Sequence, residues 1–151
     1  EWLDSYNNEI PISEFQTFYE SIDTVLLGFD TYHQIVTELS PNKWPYEDKI
    51  SYVFTSKKLD STNNIKFINA PIEDYVKDLK TREGKNIWLC GGAAISNALI
   101  RSDLVDTFDL TIIPLLLGRG IRLFDERNIR KNLRMVNFKK YKDIIRVIYE
   151  Q

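Results

Sequence analysis

A chain of 151 residues has the size of one domain and buries a full core without covalent staples. Hydrophobic residues make up 43%, charged residues 28%, and the formal net charge is -2, which excludes the basic footprint of a nucleic-acid or anionic-lipid binder. A single cysteine, Cys90, and a single histidine, His33, exclude an intrachain disulfide framework and a His/Cys zinc site.

No apolar run reaches the length of a membrane span, and no signal peptide is visible. The cysteine usage fits a reducing, cytoplasmic setting. The sequence opens at Glu1-Trp2-Leu3-Asp4, without an initiator methionine. It has no internal repeat and no low-complexity linker, so residues 1–151 read as one domain.

The first helix is expected from Ser13, where Ser13-Glu14-Phe15-Gln16 has the form of a capping box. Phe15, Phe18 and Tyr19 share one helical face and are expected to pack on the core. Asp23 to Gly28 is a short apolar run ending in glycine, as in a strand covered on both faces. Asp30 to Val36 follows as a helix with Asp30 as its cap. Ser40 to Asp48 is a loop carrying Pro41 and Pro45, and Ser51 to Thr55 is a β-prone strand. Ile65 to Ile68 is another short strand.

Pro71 suits the first turn of the next helix, with Glu73 and Asp74 near its positive end and Gly84 closing it. Asn86 to Cys90 is a strand ended by Gly91-Gly92, and Ala93 to Ile100 is a helix. Thr107 to Ile113 is a strand stopped by Pro114, and Leu117 to Gly120 is a turn. Met135 to Tyr141 and Ile144 to Tyr149 form a closing antiparallel hairpin.

Alternating strands and helices predict a mostly parallel α/β sheet with helices on both faces, and the hairpin adds an antiparallel edge. Ligands of such sheets bind beyond the carboxyl ends of the strands. Three segments end there: Gly28 to Tyr32, Thr55 to Lys58 and Gly91 to Ile95. Gly91-Gly92 before a helix lets a ligand approach the backbone and offers free N–H groups to a pyrophosphate; the same pair is also an ordinary tight turn. Neither G-x-G-x-x-G nor a P-loop is present. Thr55, Ser56, Lys57 and Lys58 offer hydroxyls and ammonium groups to a phosphate, or form a solvated loop. Thr31 opens a helix and bonds either a ligand or its own backbone. His33 reads as a surface or cap residue, and Cys90 as a small buried strand residue.

Taken in order, these stretches resemble the dihydrofolate-reductase-like superfamily, and in particular the RibD C-terminal reductase domain of the bifunctional riboflavin-biosynthesis deaminase-reductases. The matching pieces are residues 23–32, Trp44-Pro45-Tyr46 with Tyr52 to Thr55, Ile87 to Gly92, Leu104-Val105-Asp106, and Ile113 to Gly120 with Leu123-Phe124. The resemblance implies a three-layer αβα sandwich and hydride transfer from NADPH to a small-molecule substrate, with homodimerisation.

It implies cofactor contacts at Gly28, Thr31, Thr55, Ser56, Lys57, Gly91, Gly92, Ala93, Ala94 and Ile95. Arg119, Arg122 and Glu126 are the candidates for substrate, and no metal is implied. The expected activity is that of a 5-amino-6-(5-phosphoribosylamino)uracil reductase. Dihydrofolate reduction and nucleotide binding without turnover are the alternatives.

Two departures stand out. The family's arginine after the first glycine is Phe29 here, so Lys57 or Lys58 would have to supply that charge. The family also opens with a strand and an Asp-Gly loop ahead of the segment matching Trp2-Leu3. The expectation is therefore a natural protein longer at its N-terminus by one strand and its loop, on the order of 25–30 residues. The carboxylate that dihydrofolate reductases carry on the first helix has no clear counterpart: Glu14 and Glu20 lie off its place, which falls near Ile12. No catalytic residue is assigned.

Overall fold

A computed structural model describes residues 3, 6, 9–127 and 129–151; Trp2, in the segment that follows the family's opening strand and loop, lies outside the described residues. The centre of the fold is β1 (Ile22–Gly28), whose Val25, Leu26 and Leu27 are fully covered. Its side chains alternate between two cores, as a strand buried on both faces requires. Leu26 meets Phe54, Ile72, Val76, Leu79 and Leu99 on one face. Val25 and Leu27 meet Ile22, Ile35 and Val53 on the other.

β1 pairs in parallel with β2 (Ile50–Phe54) and with β4 (Asn86–Gly91), and β2 pairs with β3 (Ile65–Ile68). The order is β3-β2-β1-β4. Helix α3 (Ile72–Leu79) buries Ile72, Val76 and Leu79, spaced by one and two turns, and α4 (Ala93–Arg101) buries Asn97, Leu99 and Ile100. The opposite face receives α1 (Ile12–Glu20) and α2 (Phe29–Gln34), the latter running on into a π-helical turn, Ile35–Leu39.

The remaining strands form a separate antiparallel sheet in the order β5-β7-β6: β5 (Thr107–Ile112), β7 (Ile144–Glu150) and β6 (Arg134–Tyr141). Lys142 turns the hairpin with φ 50°. The α/β class and the antiparallel hairpin agree with the sequence, but the strands form two sheets rather than one. Among the described residues β4 is bonded only to β1, and β5 only to β7. Between them lies a cleft of about 1220 Å³.

Three local expectations are corrected. Helix α1 starts at Ile12 behind Pro11 with no side-chain cap bond, so Ser13 is not its cap; its carbonyl instead accepts from the Thr17 hydroxyl. Helix α2 starts at Phe29 behind Gly28, which puts Asp30 inside the first turn. Helix α3 ends at Leu79, too early for Gly84 to close it. Gly84 serves close approach instead, since a Cβ there would stand 2.6 Å from Asp23 Oδ2. Among the described residues no helix is long and apolar enough to cross a membrane.

Candidate functional site

The parallel registers bring strand ends to one rim: Leu27 lies beside Gly91, Gly28 beside Phe54, and Phe54 beside Ile68. Each chain segment that leaves this rim carries one of the groups singled out in the sequence. Gly28 packs close to α4, so that a Cβ there would meet Ile95 Cγ2 at 3.6 Å and the Gly92 nitrogen at 3.7 Å. Gly91 has φ 139°, in the region that favours glycine, and the Gly91–Gly92 peptide is cis. A Cβ on Gly92 would lie 3.1 Å from Thr31 Oγ1. Gly28, Thr31, Gly91, Gly92 and Ile95 are thus neighbours in space.

Helix α4 begins at Ala93 behind Gly92, with no side chain capping it. Its first amides point out of the helix without intrahelical acceptors, the arrangement that receives an anion. Ser96 turns inward, donating from its hydroxyl to the Gly92 carbonyl at 3.0 Å.

Across the rim, the Thr55 hydroxyl accepts from the Lys57 backbone N–H at 3.1 Å. That turn carries the Lys57 ammonium over the Phe29 ring, 3.8 Å from its centroid. The cation therefore stands beside the position where the resemblance places an arginine. Ser56 and Lys58 are exposed on the same loop. The exposed His33 ring packs against Phe29 at 5.8 Å.

Asn97, which the sequence reading did not single out, borders the candidate site. It is 3% exposed. Its amide donates to Ala93 and Leu123 carbonyls, and its carbonyl accepts from the Asp125 N–H at 2.9 Å. These bonds tie the 121–127 loop to α4. The available signal was a polar residue inside the apolar stretch Ile95 to Ile100. The loop closes a cavity of about 490 Å³ lined by Ala93, Ala94, Ile121, Arg122 and Glu126. Arg122 and Glu126 pair with each other there, on the glycine-turn side of the fold. Arg119 sits apart on the exposed turn beyond β5. The hydrogen bonds from Arg127 hold the Asp125 carboxyl at about 2.

On the α1 side, an aromatic group faces β4. Trp88 meets Phe15, Phe18 and Tyr46 at centroid distances of 6.2, 5.3 and 5.3 Å. Tyr46 OH lies 3.8 Å from Cys90 Sγ. Burial pushes the Cys90 thiol up, consistent with an inert strand residue rather than a nucleophile. Phe15 remains 49% exposed, so the face expected to pack on the core is only partly covered. Glu14 is bound by Lys139 at 2.7 Å and by Arg146 at 3.1 Å. The hydrogen bond from Lys139, with the Arg146 charge in support, lowers its pKa.

The profile of the family described as the RibD C-terminal domain matches residues 13–147. The chain is 36% identical over 150 residues to the uncharacterized protein YwjB of Bacillus subtilis (strain 168), covering 99% of this chain and 84% of that one. It is 35% identical to YyaP of the same organism, covering 92% of this chain and 79% of that one. Among solved structures, a Shewanella sp. PV-4 protein whose name ties it to riboflavin biosynthesis superposes with a TM-score of 0.80 at 22% identity, over 99% of this chain and 85% of that one.

The Thermotoga maritima diaminohydroxyphosphoribosylaminopyrimidine deaminase/5-amino-6-(5-phosphoribosylamino)uracil reductase superposes with a TM-score of 0.65 at 15% identity. That match covers 93% of this chain, which spans about half, 49%, of the longer enzyme. The glycine turn, the parallel sheet and the match through nearly the whole domain agree, and the chain belongs to the RibD C-terminal domain family.

Proposed function

We propose that this protein is an NADPH-dependent reductase of the 5-amino-6-(5-phosphoribosylamino)uracil reductase type, acting on a small heterocyclic or ribosylamino substrate. The observation that carries the reading is the junction of Gly28, Thr31, Gly92 and Ile95 at the open start of α4, where a side chain on Gly92 would crowd Thr31. Backbone bare of side chains beside free amides suits a pyrophosphate. Family membership and the name of the Thermotoga neighbour support the substrate class.

In this reading NADPH supplies the hydride, and the protein supplies position and charge. Gly91 and Gly92 would admit the pyrophosphate, and the Ala93, Ala94 and Ile95 amides would hold it. Thr31 would serve the nicotinamide side. Thr55, Ser56 and Lys57 would hold the phosphate on the adenosine ribose, with Lys57 supplying the charge that an arginine at the Phe29 position supplies elsewhere. Arg119 and Arg122, with Glu126, remain the candidates for the substrate; Arg122 pairs with Glu126 at the cavity beside α4. Glu14 is engaged by Lys139 and Arg146; solvent provides the proton. The lack of a carboxylate at the place near Ile12 weighs against dihydrofolate as substrate.

The test is a titration of the folded protein with NADPH and NADH, followed through tryptophan fluorescence. The expected result is saturable binding, tighter for NADPH. Failure of both cofactors to bind overturns the reading. Binding without cofactor oxidation, in the presence of the ribosylaminouracil phosphate, points instead to a nucleotide-binding protein without turnover.

A further inference from the structure

Asparagine is a poor resident of a helix interior, because its side chain competes for nearby backbone groups. Asn97 nevertheless stands in the middle of α4, 3% exposed, within the apolar stretch Ile95 to Ile100. A carboxamide buried there costs free energy unless it is bonded. Its Nδ2 group donates to the Ala93 carbonyl at 2.7 Å and to the Leu123 carbonyl at 3.0 Å, and its Oδ1 accepts from the Asp125 N–H at 2.9 Å. One side chain thus spans the first residue of α4 and two residues of the 121–127 loop. It meets a carbonyl and an N–H two residues apart, as a neighbouring strand would. That contact needs a donor and an acceptor in one short planar group, and asparagine supplies both.

Arg122 and Glu126 flank the two residues so held, and both line the cavity of about 490 Å³ together with Ala93 and Ala94. Arg122 pairs with Glu126, but the two side chains are 71% and 79% exposed. A solvated pair of this kind contributes little, so the guanidinium readily exchanges the carboxylate for a better anion. A phosphate is such an anion, since it matches the guanidinium fork and carries more charge. Asp125 does not compete for Arg122, because Arg127 engages it through both Nε and Nη2.

We propose that Asn97 is a positioning residue for Arg122. By docking the 121–127 loop on the first turn of α4, it holds that guanidinium at the cavity, where it receives a phosphate group of the ligand in exchange for Glu126. The identity of the ligand rests on the reductase reading; the geometry of the loop does not. The phosphate belongs either to the cofactor or to the substrate, and separate affinities tell the two apart.

The experiment is a double-mutant cycle between Asn97→Asp and Arg122→Ala. Asn97→Asp keeps the shape and the acceptor, but its ionised carboxylate cannot donate to the Ala93 and Leu123 carbonyls. Dissociation constants for NADPH and for inorganic pyrophosphate, and the KM for the ribosylaminouracil phosphate, are measured for wild type, both singles and the double. Each single substitution is expected to weaken the same ligand about five- to tenfold, the scale of one charged hydrogen bond. The double is expected to lose no more than about twice what the larger single loses, because Asn97 acts through Arg122. For Asn97→Asp the loss falls on Kd or KM and not on kcat. Losses for NADPH and pyrophosphate assign the phosphate to the cofactor, and a loss in KM alone assigns it to the substrate. Asn97→Ala, which brings in no charge, is expected to give the same pattern and serves if Asn97→Asp does not fold.

If neither nicotinamide cofactor binds, the reductase reading fails by itself. Weaker pyrophosphate binding in both single variants then still upholds the role of Asn97, and unchanged or absent pyrophosphate binding overturns it. Losses that multiply in the double variant also overturn it, since the two residues would then act independently. So does an Asn97 variant that lowers Tm or quickens amide exchange of residues 121–127 while every affinity holds, which would leave Asn97 a structural residue alone.

Discussion

Lys57 rests on the Phe29 ring at 3.8 Å. Such a contact contributes about 0.5–1 kcal/mol at an exposed site, which is enough to bias the ammonium toward the rim without burying it. A charged hydrogen bond to a phosphate contributes roughly 1.5–3 kcal/mol. Lys57→Ala should therefore weaken NADPH binding by about tenfold or more and leave NADH nearly unchanged, since a tenfold loss equals about 1.4 kcal/mol. Equal losses for the two cofactors would remove Lys57 from the ribose-phosphate role. At Gly92 the argument is steric. A Cβ 3.1 Å from Thr31 Oγ1 forces that hydroxyl aside by a few tenths of an ångström. Gly92→Ala should lower Tm, and Thr31→Ala in the same chain should recover part of the loss, with a coupling of about 0.5 kcal/mol or more in a double-mutant cycle. Strict additivity would mean that the two residues do not press on each other.

Between elements, polar contacts do the joining. Asn97 holds the 121–127 loop against α4 through bonds to both chain segments. Asn97→Ala removes the side-chain bonds from α4 to Leu123 and Asp125 and should cost about 0.5–1.5 kcal/mol. Amide exchange of residues 121–127 should quicken in the same variant, and an unchanged loop would show that other contacts hold it. Helix α1 is joined to the hairpin by Glu14, which pairs with Lys139 and Arg146, while Arg146 also binds Asp109 at 2.5 Å. The folded pKa of Glu14 is lowered, first by the Lys139 hydrogen bond. Its stabilising contribution is thus complete above the unfolded value of about 4.3 and fades as pH falls through the folded value. Wild-type Tm should drop more steeply than that of Glu14→Gln below about pH 4.3, and parallel profiles would count against the pair. Neither partner choice was legible in the sequence. Glu14 and Lys139 are 125 positions apart.

For the molecule as a whole, stability concentrates around β1. Leu27 is 0% exposed and packs on the α1–α2 side. Leu27→Ala should cost about 2–5 kcal/mol in chemical denaturation, and a smaller loss would mean that the core closes over the gap. The strands themselves were readable from sequence, because short apolar runs stop at Gly28, at the polar stretch after Phe54 and at Gly91. The glycine turn, Thr31 and the Lys57 loop were readable as segments for the same reason: each begins where an apolar run ends. Helix starts were read less well. Ser13 and Asp30 have capping chemistry, yet Pro11 and Gly28 fix where the chain enters each helix. The sequence alone determined a mostly parallel α/β domain with its chemistry at strand ends, since periodicity and turn residues act locally. Only the tertiary structure decided that the strands divide into two sheets, that Lys57 lies over Phe29, and that Arg122 answers Glu126 beside α4. Those relations depend on register and crossover paths, which bring together residues that no local pattern connects.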